Sequence, residues 1–181
     1  GKGNVLFKQL VRAREAFAKL PDWSQTFTLA TVIGLTAGLT ASLLRTLMDY
    51  FEEHVFFKLL GVAGDFKHYP EHPWMLLLLP ALGGLLAGVL VAKAAPEAAG
   101  GGMDAVVHAF HTRKLRWDWK VLPVKLLASS WSVSLGLAGG GEGPVGQIGA
   151  LIGQRCSELF GLSPKRQRDF FTAGMAAGIG A

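Results

Sequence analysis

Glu142 stands alone in the run Gly139-Gly-Gly-Glu142-Gly-Pro-Val-Gly-Gln147. Its flanks carry no charge: Leu126 to Gly141 is 16 residues and Gly143 to Gln154 is 12. In a bilayer such a carboxylate is costly, and it is by default a functional residue. Pro144 suits the first turn of a helix. The open amides of a helix start attract anions. A carboxylate that competes with anions for one nest of amides is a gate.

A second glycine-rich run points the same way. Pro96-Glu-Ala-Ala-Gly-Gly-Gly-Met103-Asp104 leads into the helical pattern Ala105-Val-Val-His-Ala-Phe110. Glycine lets amides approach an ion closely, and the helix end adds partial positive charge. Two such ends would bind a dehydrated anion weakly enough to release it. The candidate anion contacts are the amides of Gly101, Gly102, Met103, Gly140, Gly141 and Gly143, with Glu142 as the gate. Asp104 is expected to cap the helix that follows, with its charge turned from the anion. Met103 is expected to be packed rather than to contact the ion through sulfur.

The elements that carry these segments read as membrane helices. Of 181 residues, 50% are hydrophobic and 17% charged, with a mean hydropathy of +0.34. About 25% charged is usual for soluble domains. The 24 glycines fall inside apolar runs, which suits close helix packing in a membrane. Ser24 to Leu44 is 21 uncharged residues and Trp74 to Ala92 is 19, each long enough to cross a core of about 30 Å. Gly34 and Gly38 would form a packing face on the first, as Gly149 and Gly153 would further on. Asp22 or Ser24 would cap the first span. Leu126–Gly141 and Gly143–Gln154 are short for full spans, so discontinuous helices meeting inside the membrane are expected.

Between the spans, Asp49 to Pro73 reads as an acidic loop. His68 and His72 have helical ligand spacing, but Pro70 interrupts them and no third ligand is evident, so a solvated loop is expected. Arg113 to Lys125, with Trp117 and Trp119, reads as an interface belt rather than an RNA site. Lys165, Arg166 and Arg168 mark another polar loop, read as cytoplasmic. The positive-inside rule then places the N-terminus in the cytoplasm and the acidic loop outside. Residues 1–22 form a basic amphipathic helix, lying on the membrane or packed on the protein itself. Residues 23–181 form the membrane domain. Phe170 to Ala181 is apolar to its last residue, which implies a longer chain.

Other classes lack support. The net charge of +5 is spread at the ends of apolar runs, not on a nucleic-acid face. Gly141-x-Gly143-x-x-Gly146 matches a dinucleotide pattern, but no βαβ context surrounds it. His108 and His111 read as surface or packing residues. Cys156 is the lone cysteine. No nucleophile–base pair, metal cluster or cofactor motif is evident, so no enzyme is expected.

These residues resemble the CLC family of chloride channels and anion/proton exchangers, from about Ser24 to Ala181. The resemblance is densest over Ala95-Pro-Glu-Ala, Val121-Leu-Pro-Val-Lys125, Glu142-Gly-Pro-Val-Gly-Gln-Ile-Gly149 and Ala173-Gly-Met-Ala-Ala-Gly178. The family's Gly-Arg-Glu-Gly-Pro motif reads Gly140-Gly141-Glu142-Gly143-Pro144 here, with glycine for arginine. Its Gly-Ser-Gly-Ile-Pro motif reads Gly100-Gly101-Gly102-Met103-Asp104, with glycine for serine and aspartate for proline. The resemblance implies an all-α membrane protein, a bundle of tilted and discontinuous helices forming the first half of an inverted repeat. It implies a homodimer in lipid, with a pore in each subunit completed by a C-terminal half. It also implies transport of chloride or a similar anion, with a glutamate gate at Glu142 that leaves the site when protonated. Proton-coupled antiport, of fluoride or another anion, is the alternative in mechanism. A non-transporting membrane fragment is the alternative in class.

Overall fold

The computed structural model describes residues 11–60, 73–112 and 117–181, and these are helical with no strand among them. Residues 11–18 form the described part of α1. The elements after it are α2 (Asp22–Phe51), α3 (Met75–Ala94), α4 (Met103–Thr112), α5 (Val121–Ser134), α6 (Glu142–Leu159) and α7 (Pro164–Ile179). A π-helical turn, Glu52–Phe57, and a last turn, Lys58–Leu60, prolong α2.

Two helical stretches are long and apolar enough to cross a membrane: Asp22–Phe57, at 36 residues, and Met75–Ala94, at 20. The first is longer than expected. Asp49, Glu52, Glu53 and His54 lie on this continuous helix and not in a loop. Their polarity did not break the helix because glutamate is a good helix former and no glycine or proline falls between Asp49 and Leu60. The remainder of the expected loop, with His68 and His72, lies outside the described residues. Neither Asp22 nor Ser24 caps α2; Pro21 holds that position and Asp22 is the first helical residue.

α2 presents Leu29, Ile33, Ala37 and Leu44 to the protein, all at most 2% exposed. That spacing is one helical face, and it packs on Leu126, Ile148, Ile152 and Phe170. The opposite face is apolar yet bare, with Leu39 72% exposed. On α3, Leu77 is 83% exposed. Such faces suit hydrocarbon, where no water must be displaced. Gly34 has no neighbour within 4 Å of where a Cβ would stand, and one on Gly38 would meet only the Ala181 Cβ at 3.8 Å, so among the described residues the Gly34–Gly38 face makes an ordinary contact at one end and none at the other.

The closest packing joins α6 to α7. A Cβ on Gly149 would overlap the Gly174 carbonyl, one on Gly153 the Phe170 carbonyl, and one on Gly178 the Val145 carbonyl. The expected role of Gly149 and Gly153 is therefore met, by a third and a fourth small residue on the partner helix. The connection between the two helices is a tight turn at Gly161 (φ 66°), where Leu162 N–H returns to the Ser157 carbonyl at 3.1 Å. A glycine takes that left-handed φ without Cβ strain.

Several basic residues are not where a polar loop would put them. Arg166 and Arg168 lie within α7. Arg166 ties α7 to α2, donating to Gln25 Oε1 at 2.9 Å and Thr26 Oγ1 at 2.9 Å. Arg168 stands over the Phe110 ring at 4.4 Å. Trp117 is a core residue, 7% exposed and 5.5 Å from the Phe171 ring centroid, whereas Trp119 is 46% exposed. Arg155 donates to the Trp117 carbonyl. The alternation of bases and aromatics suggested a belt, but these long-range partners cannot be read from local pattern. Phe17 of α1 packs on Phe160, ring centroids 4.4 Å apart, so α1 docks on its own protein.

The candidate anion site between two helix starts

α5 and α6 are the short helices expected to interrupt the membrane segment. α5 ends where Gly136 adopts φ 96°, with Leu137 N–H bonded to the Ser132 carbonyl at 3.1 Å. An added Cβ there would also press on Pro80 and Phe56. The chain then runs through Gly139–Gly141 and re-enters helix at Glu142.

The N-terminus of α6 meets that of α4. In α4 the first helical bond is Val106 N–H to the Gly102 carbonyl, 3.1 Å, and in α6 it is Val145 N–H to the Gly141 carbonyl, 3.1 Å. The amides before them have no partner inside their helices. The two ends touch through glycine. A Cβ on Gly102 (φ 102°) would overlap the Gly143 carbonyl, and one on Gly143 the Gly101 carbonyl. No larger residue allows this approach.

A cleft of ≈ 510 Å³ opens at the junction, with Gly101, Met103, Gly140, Glu142 and Gly143 in its wall. Five of the seven residues expected there thus line one cleft. Gly102 and Gly141 do not; Gly102 is spent on the helix contact, and Gly141 faces the Met48 sulfur. Glu142 is exposed to the cleft, with no hydrogen bond or ion pair to a described residue and no capping bond. Asp104 departs from expectation. It is the second residue of α4 rather than its cap, and it also lines the cleft. With Met103 already helical, a side chain at 104 sits on the first turn beside the opening. Met103 sends its sulfur toward Gly146, 3.2 Å from where a Cβ would stand, but the residue is 38% exposed at the cleft wall and so is only partly packed, short of the packed residue expected.

Sequence reading missed what holds the first glycine loop. Lys125, grouped above with the interface belt, is 1% exposed. Its Nζ donates to the Ala98 carbonyl at 2.9 Å and to the Gly100 carbonyl at 2.7 Å. In a trans peptide the N–H points opposite to the C=O. Anchoring the Gly100 carbonyl on Lys125 therefore turns the Gly101 amide the other way. Gln147 adds a second tie, Nε2 to the Glu97 carbonyl at 2.8 Å. Lys125 has no ion pair among the described residues, so a buried positive charge lies behind the loop. The signal in the sequence was its place at the edge of the uncharged run beginning at Leu126.

A second cavity, of ≈ 390 Å³, lies on the Lys125 side of the loop. Gly100, Ser129 and Ser132 line both spaces. Among the described residues, no group of three or more His, Cys, Asp or Glu could hold a metal ion.

The family model described as voltage gated chloride channel matches residues 83–181, which contain both glycine loops and the cleft between them. The chain belongs to the voltage gated chloride channel family. It is similar to the H(+)/Cl(-) exchange transporter ClcA of Yersinia pestis, 31% identical over 156 residues. It is likewise similar to the protein of that name in Klebsiella pneumoniae (strain 342), 31% over 155 residues, and in Cronobacter sakazakii, 33% over 156 residues. Each match covers 84% of this chain and 32% of the relative. The chain thus spans about a third of the length of these curated relatives. Membership in this family, with two apolar helices long enough to span, makes it a membrane protein.

Proposed function

We propose that the cleft between α4 and α6 is a station on a transmembrane pathway for chloride or a similar anion, gated by Glu142. The observation that carries this reading is the junction at Gly102 and Gly143. Two helix starts meet there, with a buried lysine behind one and an unpaired carboxylate on the other. Open amides and Lys125 make the surroundings positive without presenting a full charge to the ion. An anion is held by partial charges and can leave.

Glu142 supplies the gate. Ionised, its carboxylate competes with the anion for the same amides. Protonated, it is a poorer acceptor and yields the place. The loop contributes backbone donors at Gly101, a residue with no side chain to offer one. The remainder of the pathway belongs, in this reading, to a second inverted half and to a homodimer in lipid, with the N-terminus on the cytoplasmic side. The reading includes neither a cofactor nor catalysis.

Proton-coupled exchange is the second reading, supported by the printed names of the relatives. It fits a gate that must take up a proton to move. The test is to reconstitute the protein whose reading frame contains this chain into liposomes and follow efflux of chloride, fluoride and nitrate. Efflux of at least one, above that of empty liposomes, is expected. No efflux of any of the three would overturn the transport reading and leave a structural role in the membrane.

A further inference from the structure

Ser129 offers a hydroxyl that the fold itself does not use. α5 carries four serines. Ser130 Oγ donates to the Leu126 carbonyl at 2.6 Å, Ser132 Oγ to the Ser129 carbonyl at 3.3 Å, and Ser134 Oγ to the Met48 carbonyl at 2.8 Å. Ser129 is only 8% exposed, yet its Oγ has no hydrogen bond to any described residue and is not sealed in the protein: it opens to the spaces that Ser129 lines. A hydroxyl of a nearly buried residue, left without a protein partner at the wall of a cavity, is free to donate to what enters it.

Its position says which ligand. Ser129 lines both the cleft at the helix starts and the cavity on the Lys125 side. It sits one helical turn beyond Lys125, whose ammonium holds the Gly100 carbonyl. The donors at the opening are the amides of the first turns of α4 and α6 and this hydroxyl, with the Lys125 ammonium committed to the Ala98 and Gly100 carbonyls behind the loop. Such donors suit a small anion, which competes there with the carboxylates of Glu142 and Asp104.

We propose that the Ser129 hydroxyl donates a hydrogen bond to the anion as it passes between the two spaces, and thereby sets preference among anions. The proposal rests on the transport reading above. A hydroxyl favours a compact, strongly accepting halide over nitrate, whose charge is spread over three oxygens. Glu142 and Asp104 are the carboxylates that share this opening, so the competing role for Ser129 is to bind a carboxylate rather than the ion.

The experiment is titration calorimetry of the purified protein with chloride and with nitrate. It is made in wild type, in Ser129→Ala, in Ser129→Thr and in Ser130→Ala, and each is repeated in a Glu142→Gln background. Ser129→Ala is expected to weaken chloride binding about tenfold, the loss of one hydrogen bond to an ion, and nitrate less. Ser129→Thr keeps the hydroxyl and is expected to restore binding to within about threefold. Ser130→Ala removes a hydroxyl already bonded to Leu126, and binding stays within about twofold. The Ser129→Ala loss persists with Glu142→Gln. Unchanged chloride affinity in Ser129→Ala overturns the proposal, as does a loss that vanishes in Glu142→Gln, which would assign the hydroxyl to the carboxylate. If Ser129→Ala does not fold, Ser129→Cys keeps the volume with a weaker donor and is read by the same criteria. Wild type that binds neither anion overturns this proposal together with the transport reading, whereas wild-type binding with an indifferent Ser129→Ala overturns this proposal alone.

Discussion

Gly102 and Gly143 hold two helix starts in backbone contact, each so close to the other's loop that a Cβ on either would overlap a carbonyl. The open amides of α4 and α6 share one cleft because of this contact. Gly102 also has φ 102°, which disfavours any other residue.

Gly143→Ala must therefore separate the helix starts. The expected loss of stability is about 1–3 kcal/mol, typical of overpacking. Gly102→Ala adds backbone strain of similar size. Thermal unfolding in detergent and anion flux in liposomes check this, and both should fall together.

A contrast of glycines tests the packing account. Gly149→Ala would press on the Gly174 carbonyl and should lower stability by about 1–3 kcal/mol. Gly34→Ala meets nothing within 4 Å and should be neutral, or should stabilise α2 by up to about 1 kcal/mol. Thermal unfolding of the two variants side by side decides it.

Lys125→Met keeps the volume but leaves the Ala98 and Gly100 carbonyls without their donor. Leaving the buried Ala98 carbonyl unpaired costs about 1–3 kcal/mol, and the exposed Gly100 carbonyl can turn to water. The Gly101 amide loses its orientation and the cleft its nearest buried charge. Anion flux is expected to fall at least about tenfold, a change of roughly 1.4 kcal/mol. Flux measurements on protein shown to be folded test this directly.

The parts of this fold legible in the sequence are those governed by local rules. The length and apolarity of the spans gave α2 and α3, and glycine before an uncharged run gave the starts of α4 and α6. The spacing of Gly149 and Gly153 gave a packing face. Identical spacing at Gly34 and Gly38 meets only Ala181, beside Gly38, among the described residues, because a close contact needs a partner, and the sequence of one helix does not name it. Lys125 and Trp117 were misplaced for a related reason. Each is buried by residues far along the chain: Ala98 and Gly100 for the lysine, Gln154 and Phe171 for the tryptophan. Asp104 was misjudged by two helical positions, the second residue of α4 rather than its cap, and a second carboxylate lines the cleft. The silence of Ser129 became visible only once the partners of Ser130, Ser132 and Ser134 were known.

Acidification should open the gate. A protonated Glu142 is a weaker rival for the amides, so anion flux is expected to rise as pH falls, and Glu142→Gln, a permanent mimic of the protonated form, should be insensitive. Initial flux rates at a series of pH values, equal on both sides, measure this. A wild-type rate that falls with acidification would reverse the assigned direction.

Whether Glu142 gates an anion pathway is decided by imposing a chloride gradient across liposomes that hold the protein whose reading frame contains this chain, and recording chloride and proton movement together at several pH values. Wild type is predicted to pass chloride at a rate that depends on pH, and Glu142→Gln to pass it at a rate that does not. Protons driven against their own gradient by wild type and not by Glu142→Gln would assign exchange, the second reading above. Chloride movement in Glu142→Gln with the same rate and the same pH dependence as wild type would contradict the gate.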